Sequence, residues 1–215
     1  MSRILIIGGH GKVALRLEPL LAERGDDVTA VIRNPEHESE VSATGATPLV
    51  ADLESFDLEQ LTDLLSGNDA VVWSAGAGGG DAARTWAVDR DAAIRSIDAA
   101  RAAGVGRYVM VSYFGAGPDH GVPEDDSFYA YAEAKAEADA HLRESGLDWT
   151  IVAPSGLTLD EPTGKITVGG SGEASVSRGD VAAVIAAVLA EPATIGRTLE
   201  FTGGDTPIAE AITTV

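Results

Sequence analysis

Cysteine is missing from the 215 residues, so disulfides, thiolate metal sites and a cysteine nucleophile are excluded. Lysine is scarce: Lys12, Lys135 and Lys165 are the whole supply. Lys plus Arg number 15 against 34 Asp plus Glu, a formal net charge of −19, which makes nucleic acid and anionic membrane poor partners. No apolar run approaches the ~20 residues of a membrane span. The first residues also lack the basic start and small-residue cleavage site of a signal peptide, so a cytoplasmic protein is expected. The histidines His10, His37, His120 and His141 show no metal-ligand spacing, and no metal is expected. No Gly-x-Ser-x-Gly elbow precedes a helix, which disfavours a serine hydrolase. A hydrophobic content of 45% still supports a folded core. Its carboxylate-rich, lysine-poor exterior suits a halophilic protein, screened by the counterions of a high-salt cytoplasm.

The most informative stretch is Arg3 to Leu17, RILIIGGHGKVALRL. Ile4 to Ile7 are branched, uncharged and bounded by glycine, as in a strand buried on both faces of a parallel sheet. From Gly11 onward, Val13, Leu17, Leu20 and Leu21 mark one face of a helix. The turn between fits the dinucleotide fingerprint as Gly8-x-x-Gly11-x-x-Ala14 and as Gly9-x-Gly11-x-x-Ala14. In that reading Gly8 permits the tight turn, Gly11 leaves room for a pyrophosphate, and Ala14 lets the helix pack close to the strand. The helix start then offers unpaired N–H groups to phosphate. No acid lies between Ile4 and Leu17, whereas His10, Lys12 and Arg16 do, a local gap in a negative field.

Asp27 to Ile32 reads as a second strand ending at Arg33. An acid there would accept hydrogen bonds from the adenine ribose; Arg33 pairs instead with a 2′-phosphate and favours NADP over NAD, with Lys12 a second candidate partner. A third strand, Thr47 to Ala51, ends at Asp52-Leu53, and Asp57 with Gln60 forms a capping box for a helix to Leu65. Ala70 to Ser74 is the fourth strand, running into Ala75-Gly76-Ala77-Gly78-Gly79-Gly80. Of these, Ser74, Ala75 and Gly76 are placed for cofactor contact, because open α/β sheets bind ligands at their strand ends.

Trp86 to Ala103 is helical, Tyr108 to Val111 is a fifth strand ending at Ser112, and Gly115 to Ser127 is a loop long enough to cover a site. Phe128 to Glu144 is a helix carrying Tyr131 and Lys135. Trp149 to Ala153 is a sixth strand and Ser155 to Ser175 is irregular. Ser177 with Asp180 opens a helix to Ala190, Thr198 to Thr202 is the last strand, and a short tail follows. The alternation predicts an α/β fold: a Rossmann-type doubly wound parallel sheet with helices on both faces. One domain is expected over residues 1–215, with a cofactor-binding core at 1–153 and a small C-terminal substrate region at 154–215.

Tyr131 and Lys135 are four apart and share a helix face. An adjacent ammonium lowers a phenol toward the working range. Such a tyrosine can protonate a carbonyl oxygen as hydride arrives at carbon, with Ser112 holding that oxygen and Lys135 reaching the nicotinamide ribose. Packing of Tyr131 and pairing of Lys135 with Glu137 or Asp139 is the competing, purely structural use.

Together the segments IIGGHGKVA, VIRNP, ADL at Asp52, WSAGAGG, VDRDAAIRSIDAARAAGVGRYVMVSYFGA, YAEAKAEAD, SGLDWTIVAPSGLT and SRGDVAAVIAAVL resemble the atypical short-chain dehydrogenase/reductase family, NAD(P)-binding, NmrA-like branch. The resemblance covers nearly the whole chain. It implies NADP along the sheet edge, with Gly8, Gly9, His10, Gly11, Lys12 and Val13 at the pyrophosphate, Arg33 at the 2′-phosphate and Asp52-Leu53 beside the adenine. It also implies Ser112, Tyr131 and Lys135 as the active site. Two departures stand out: Ser74-Ala75-Gly76 lacks a relay asparagine, and Ala153 replaces an arginine common before Pro154. Two readings stay open. One is an NADP-dependent oxidoreductase for a small carbonyl, quinone, sugar-nucleotide-like or similar small-molecule substrate; the other is a non-catalytic NADP(H)-sensing regulator of a protein partner. A quinone or flavin could also be reduced without the tyrosine.

Overall fold

The computed structural model describes residues 1–78 and 81–214. Gly79 and Gly80 of the glycine run, and Val215, lie outside the described residues. The first half holds β1 (Arg3–Ile7), α1 (Ala14–Glu23), β2 (Asp27–Ile32), α2 (Glu38–Ser42), β3 (Thr47–Val50), α3 (Leu58–Leu65) and β4 (Ala70–Trp73). Then come α4 (Ala82–Thr85), a π-helical segment Trp86–Ala92, α5 (Ala93–Ala102), β5 (Arg107–Val111), α6 (Tyr129–Glu144) and β6 (Asp148–Pro154). The last part holds β7 (Leu157–Thr158), β8 (Lys165–Val168), β9 (Val176–Ser177), α7 (Arg178–Ala190), β10 (Arg197–Gly203), β11 (Thr206–Pro207) and α8 (Ile208–Ala211).

The main sheet runs β11-β8-β10-β6-β5-β4-β1-β2-β3. From β3 to β10 every pairing is parallel, with β1 central between β2 and β4. Alternation within β1 feeds two cores: Ile4 and Ile6 face one cluster that includes Leu17, Leu21, Val181 and Ile185, while Leu5 and Ile7 face another with Leu61, Leu65, Ile97 and Leu142. This is the doubly wound Rossmann-like arrangement, and it brings the carboxyl ends of β1 to β5 to one edge. No helix among the described residues is long and apolar enough to cross a membrane.

Local chemistry explains several boundaries. Asp57 and Gln60 form the expected capping box at the start of α3. Ser177 caps α7, and Asp180 accepts N–H bonds from Thr163 (3.0 Å) and Gly164 (2.7 Å), tying the C-terminal region to that helix.

Three expectations are corrected, and one further element carries no signal in the sequence. β8 and β11 are antiparallel to their neighbours, so the sheet is mostly rather than wholly parallel. The stretch read as irregular contains β7 and β8, and the tail folds as β11 and α8; two- to four-residue strands carry too little alternation to be seen. The short α2 went unread because its sequence, ESEVS, has one apolar side chain. In α1 the inward face is Ala14, Leu17, Glu18 and Leu21, while Leu20 is 38% exposed.

Glu18 is fully buried with one hydrogen bond, from the Thr44 hydroxyl (2.8 Å), and burial pushes its carboxyl up to about 7. The native state therefore holds this proton more tightly than the unfolded chain, so its contribution to stability falls as pH rises from about 4.5 to about 7. Glu18→Gln should flatten that slope and stabilise the protein at pH 8 by roughly 2–3 kcal/mol, read from denaturant midpoints at fixed salt.

Candidate functional site

At the end of β1 the chain turns so tightly that side chains are barred. Gly8 has φ +87°, and a Cβ there would lie 2.7 Å from the Ala75 backbone. A Cβ on Gly9 would meet the Ala30 methyl at 2.6 Å, so Gly9 is a packing glycine that lets the turn lie against β2. Gly11 N–H donates to the Gly8 carbonyl (2.9 Å), and Leu15 N–H to that of Gly11 (2.9 Å). α1 then begins with no side-chain cap and no acid in its first turn. Its free N–H groups fit a phosphate, which would complete them.

Beside this turn lies a cavity of about 360 Å³, bounded by Gly8, His10, Gly11, Arg33, Asp52, Leu53 and Ser74 to Gly76. His10 stacks on His37 with ring centroids 3.5 Å apart, and its Nε2 meets Glu40 at 2.7 Å. Arg33 donates to Glu54 Oε1 (3.0 Å), as does Arg84 (3.2 Å), so two guanidinium groups share one carboxylate at the cavity wall. Sequence reasoning missed Glu54 and Arg84, since neither sits at a strand end. Trp73, also on this wall, keeps a buried indole N–H without a partner.

A second cavity of about 920 Å³ shares Gly11 and Ser74 to Gly76 with the first and adds Lys12, Val13, Ser112 and Tyr131. The structure thus brings the predicted residues into two adjoining spaces, apart from Gly9, which packs, and Lys135, which lines neither. Lys135 is fully buried: Nζ donates to the Val111 carbonyl (2.8 Å) and contacts Met110 Sδ (3.2 Å). Its expected reach to a ribose is therefore not seen.

The expected lowering of the phenol is reversed as well. Burial first, then the charges of Asp89 and Asp139, hold Tyr131 above the ordinary tyrosine range, while burial lowers Lys135 against the opposing pull of Asp139 and Asp89. Ser112 donates to Asp139 Oδ2 at 2.6 Å, so its hydroxyl proton is committed and its oxygen can act only as an acceptor. Asp139 is raised by burial, countered by Lys135 and Ser112. The spacing Tyr131, Lys135, Asp139, each four apart, could have flagged it. Asp89 could not have been foreseen, because it sits in the π-helical segment, where it accepts the Ala77 N–H (3.0 Å) and holds the loop after β4.

A family model described as NAD(P)H-binding matches residues 8–192. The chain belongs to the NAD(P)H-binding family. It is 36% identical to the uncharacterized sugar epimerase YhfK of Bacillus subtilis, over 98% of each chain. Among solved structures, it is similar to a Bacillus halodurans protein described as a candidate NAD-dependent epimerase/dehydratase: TM-score 0.92, 37% identity, all of both chains covered. The oxidoreductase ylbE of Lactococcus lactis gives TM-score 0.88 and 29% identity, covering 99% of this chain and 96% of that one. These likenesses agree with the resemblance to atypical short-chain dehydrogenases/reductases, and the matched span begins at Gly8, the first glycine of the turn after β1.

Because the Gly9 position has no room, Gly9→Ala should lower the denaturant midpoint by an amount equivalent to about 1–3 kcal/mol. Ala30→Gly in the same chain should restore part of that loss, while an exposed glycine with open space around it, as in Gly106→Ala, should not show it.

Proposed function

We propose that this protein is an NADP-dependent oxidoreductase that reduces a small carbonyl, quinone or similar electrophile. The observation that carries the reading is the meeting of two cavities at one glycine turn, one edged by two arginines and the other by Ser112 and Tyr131. The family membership and the oxidoreductase and epimerase names of its relatives support the chemistry class.

The uncapped start of α1 with Gly8 to Val13 would hold the diphosphate, Asp52 and Leu53 the adenosine, and Arg33 with Arg84 a 2′-phosphate. A bound nicotinamide supplies hydride. Tyr131, kept neutral by its surroundings, donates its phenolic proton to the substrate oxygen. Ser112, its own proton turned to Asp139, has none to give the carbonyl oxygen and accepts a hydrogen bond only from the alcohol formed once Tyr131 has delivered its proton. Lys135 holds the end of β5 by its bond to Val111 and so positions the neighbouring Ser112.

A sensor reading draws on one observation: Lys135 points at Val111 instead of the phenol. It expects NADPH to bind without oxidation by any carbonyl, and a protein partner whose affinity follows the cofactor's oxidation state.

With phenanthrenequinone as acceptor, Tyr131→Phe should cut NADPH turnover by roughly 10²-fold or more while NADPH affinity, read by fluorescence titration, stays nearly intact. Equal loss of both identifies a structural tyrosine, and absence of wild-type turnover with any acceptor favours the sensor. Glu54→Gln frees Arg33 and Arg84 and should raise the preference for NADPH over NADH about tenfold. A preference that is unchanged or falls assigns Glu54 to the ribose hydroxyls and rules out the arginine account.

A further inference from the structure

The NADP-dependent reading leaves open what the larger cavity accepts. We propose that it takes a flat, apolar molecule bearing a carboxylate, with Arg178 as the anion anchor and Phe128 and Leu157 as the apolar wall. This rests on the proposed function, because the same cavity must also admit the nicotinamide.

Charge is the first observation. In a chain at −19, Arg3, Arg24, Arg33, Arg84 and Arg90 are ion-paired, and of the arginines that are not, Arg178 is the one that lines either cavity among the described residues. Arg178, half-buried at the start of α7 and lining the larger cavity, makes no such pair among the described residues. One terminal nitrogen donates to the Leu157 carbonyl at 3.1 Å, which fixes the guanidinium and leaves the rest of its fork open. The acids on the cavity wall are occupied elsewhere: Asp81 accepts the Ala83 N–H (2.9 Å) and Asp89 the Ala77 N–H (3.0 Å). Lys12 also lines the cavity, but it lies in the diphosphate turn, where the cofactor's own charge meets it. One planar guanidinium with free donors matches a single carboxylate.

Apolar surface is the second, independent observation. Phe128 is 42% exposed and Leu157 37%, with Leu159 at 61% two residues on. Phe128 packs against Tyr113 and Tyr131, ring centroids 5.2 Å away in both cases, forming an aromatic shelf beside the phenol. Uncovered aromatic and leucine side chains around a concavity with one cation describe a site for a flat acid.

The test uses naphthoate and its neutral counterpart naphthylmethanol, titrated calorimetrically into the full chain loaded with NADP⁺ at fixed salt. Naphthoate should bind about tenfold tighter than naphthylmethanol. Arg178→Gln should abolish that difference, Arg178→Lys should keep part of it, and Phe128→Ala should weaken both probes. Equal affinity of the two probes for the wild type overturns the proposal, as does discrimination that survives in Arg178→Gln with its NADP⁺ affinity and thermal midpoint unchanged. Tighter binding of naphthyl phosphate than of naphthoate overturns the carboxylate assignment. Failure of NADP⁺ itself to bind removes the proposed function, whereas intact NADP⁺ binding without charge discrimination removes this inference alone.

Discussion

Burying the ammonium of Lys135 is the constraint on which the site depends. A charge taken fully out of water costs several kcal/mol unless it is met by dipoles and opposite charge. Here the compensation comes from the Val111 carbonyl, the Met110 sulfur and the nearby carboxylates of Asp139 and Asp89. Meeting that requirement draws α6 onto the end of β5, and Asp139, one turn further along α6, takes hold of Ser112. One buried cation thereby sets the position of the residue next to the strand end and the direction of its hydroxyl proton. The phenol of Tyr131, a turn earlier on the same helix, remains at the cavity wall.

A second layer of control comes from the helix after β4. Its π-helical segment carries Asp89 inward onto the loop that both cavities share, while Arg84, a turn before it, reaches the other cavity's wall at Glu54. Widened helical turns of this kind often mark functional sites. This one links the walls of the two adjoining cavities through a single helix.

Much of the scaffold was legible because period and punctuation agreed. β2 at Asp27–Ile32 and the Asp57 cap appear in the sequence as they do in the fold, and Gly8 fell where a turn needs φ above zero. The predicted cofactor residues converge for the same reason: a parallel sheet brings all its strand ends to one edge. What escaped was set by tertiary context. Spacing predicted that Tyr131 and Lys135 share a face, which they do, but not that burial would turn the ammonium to a backbone carbonyl and raise the phenol. Arg33 was visible at its strand end; that Glu54 would pair with it depends on a loop fold no local pattern encodes. Glu18, buried where periodicity favoured Leu20, shows the same limit.

The lysine shortage has a practical side. With Lys135 sealed inside, only Lys12 and Lys165 present side-chain amines at the surface. Acylating dyes, cross-linkers and amine-coupled sensor chips would therefore act at those two positions and the terminal amine, and Lys12 sits in the glycine turn after β1, on the wall of the larger cavity. Immobilisation through amines would tend to block the very pocket being assayed, so a carboxylate-directed or tag-directed attachment suits this molecule better.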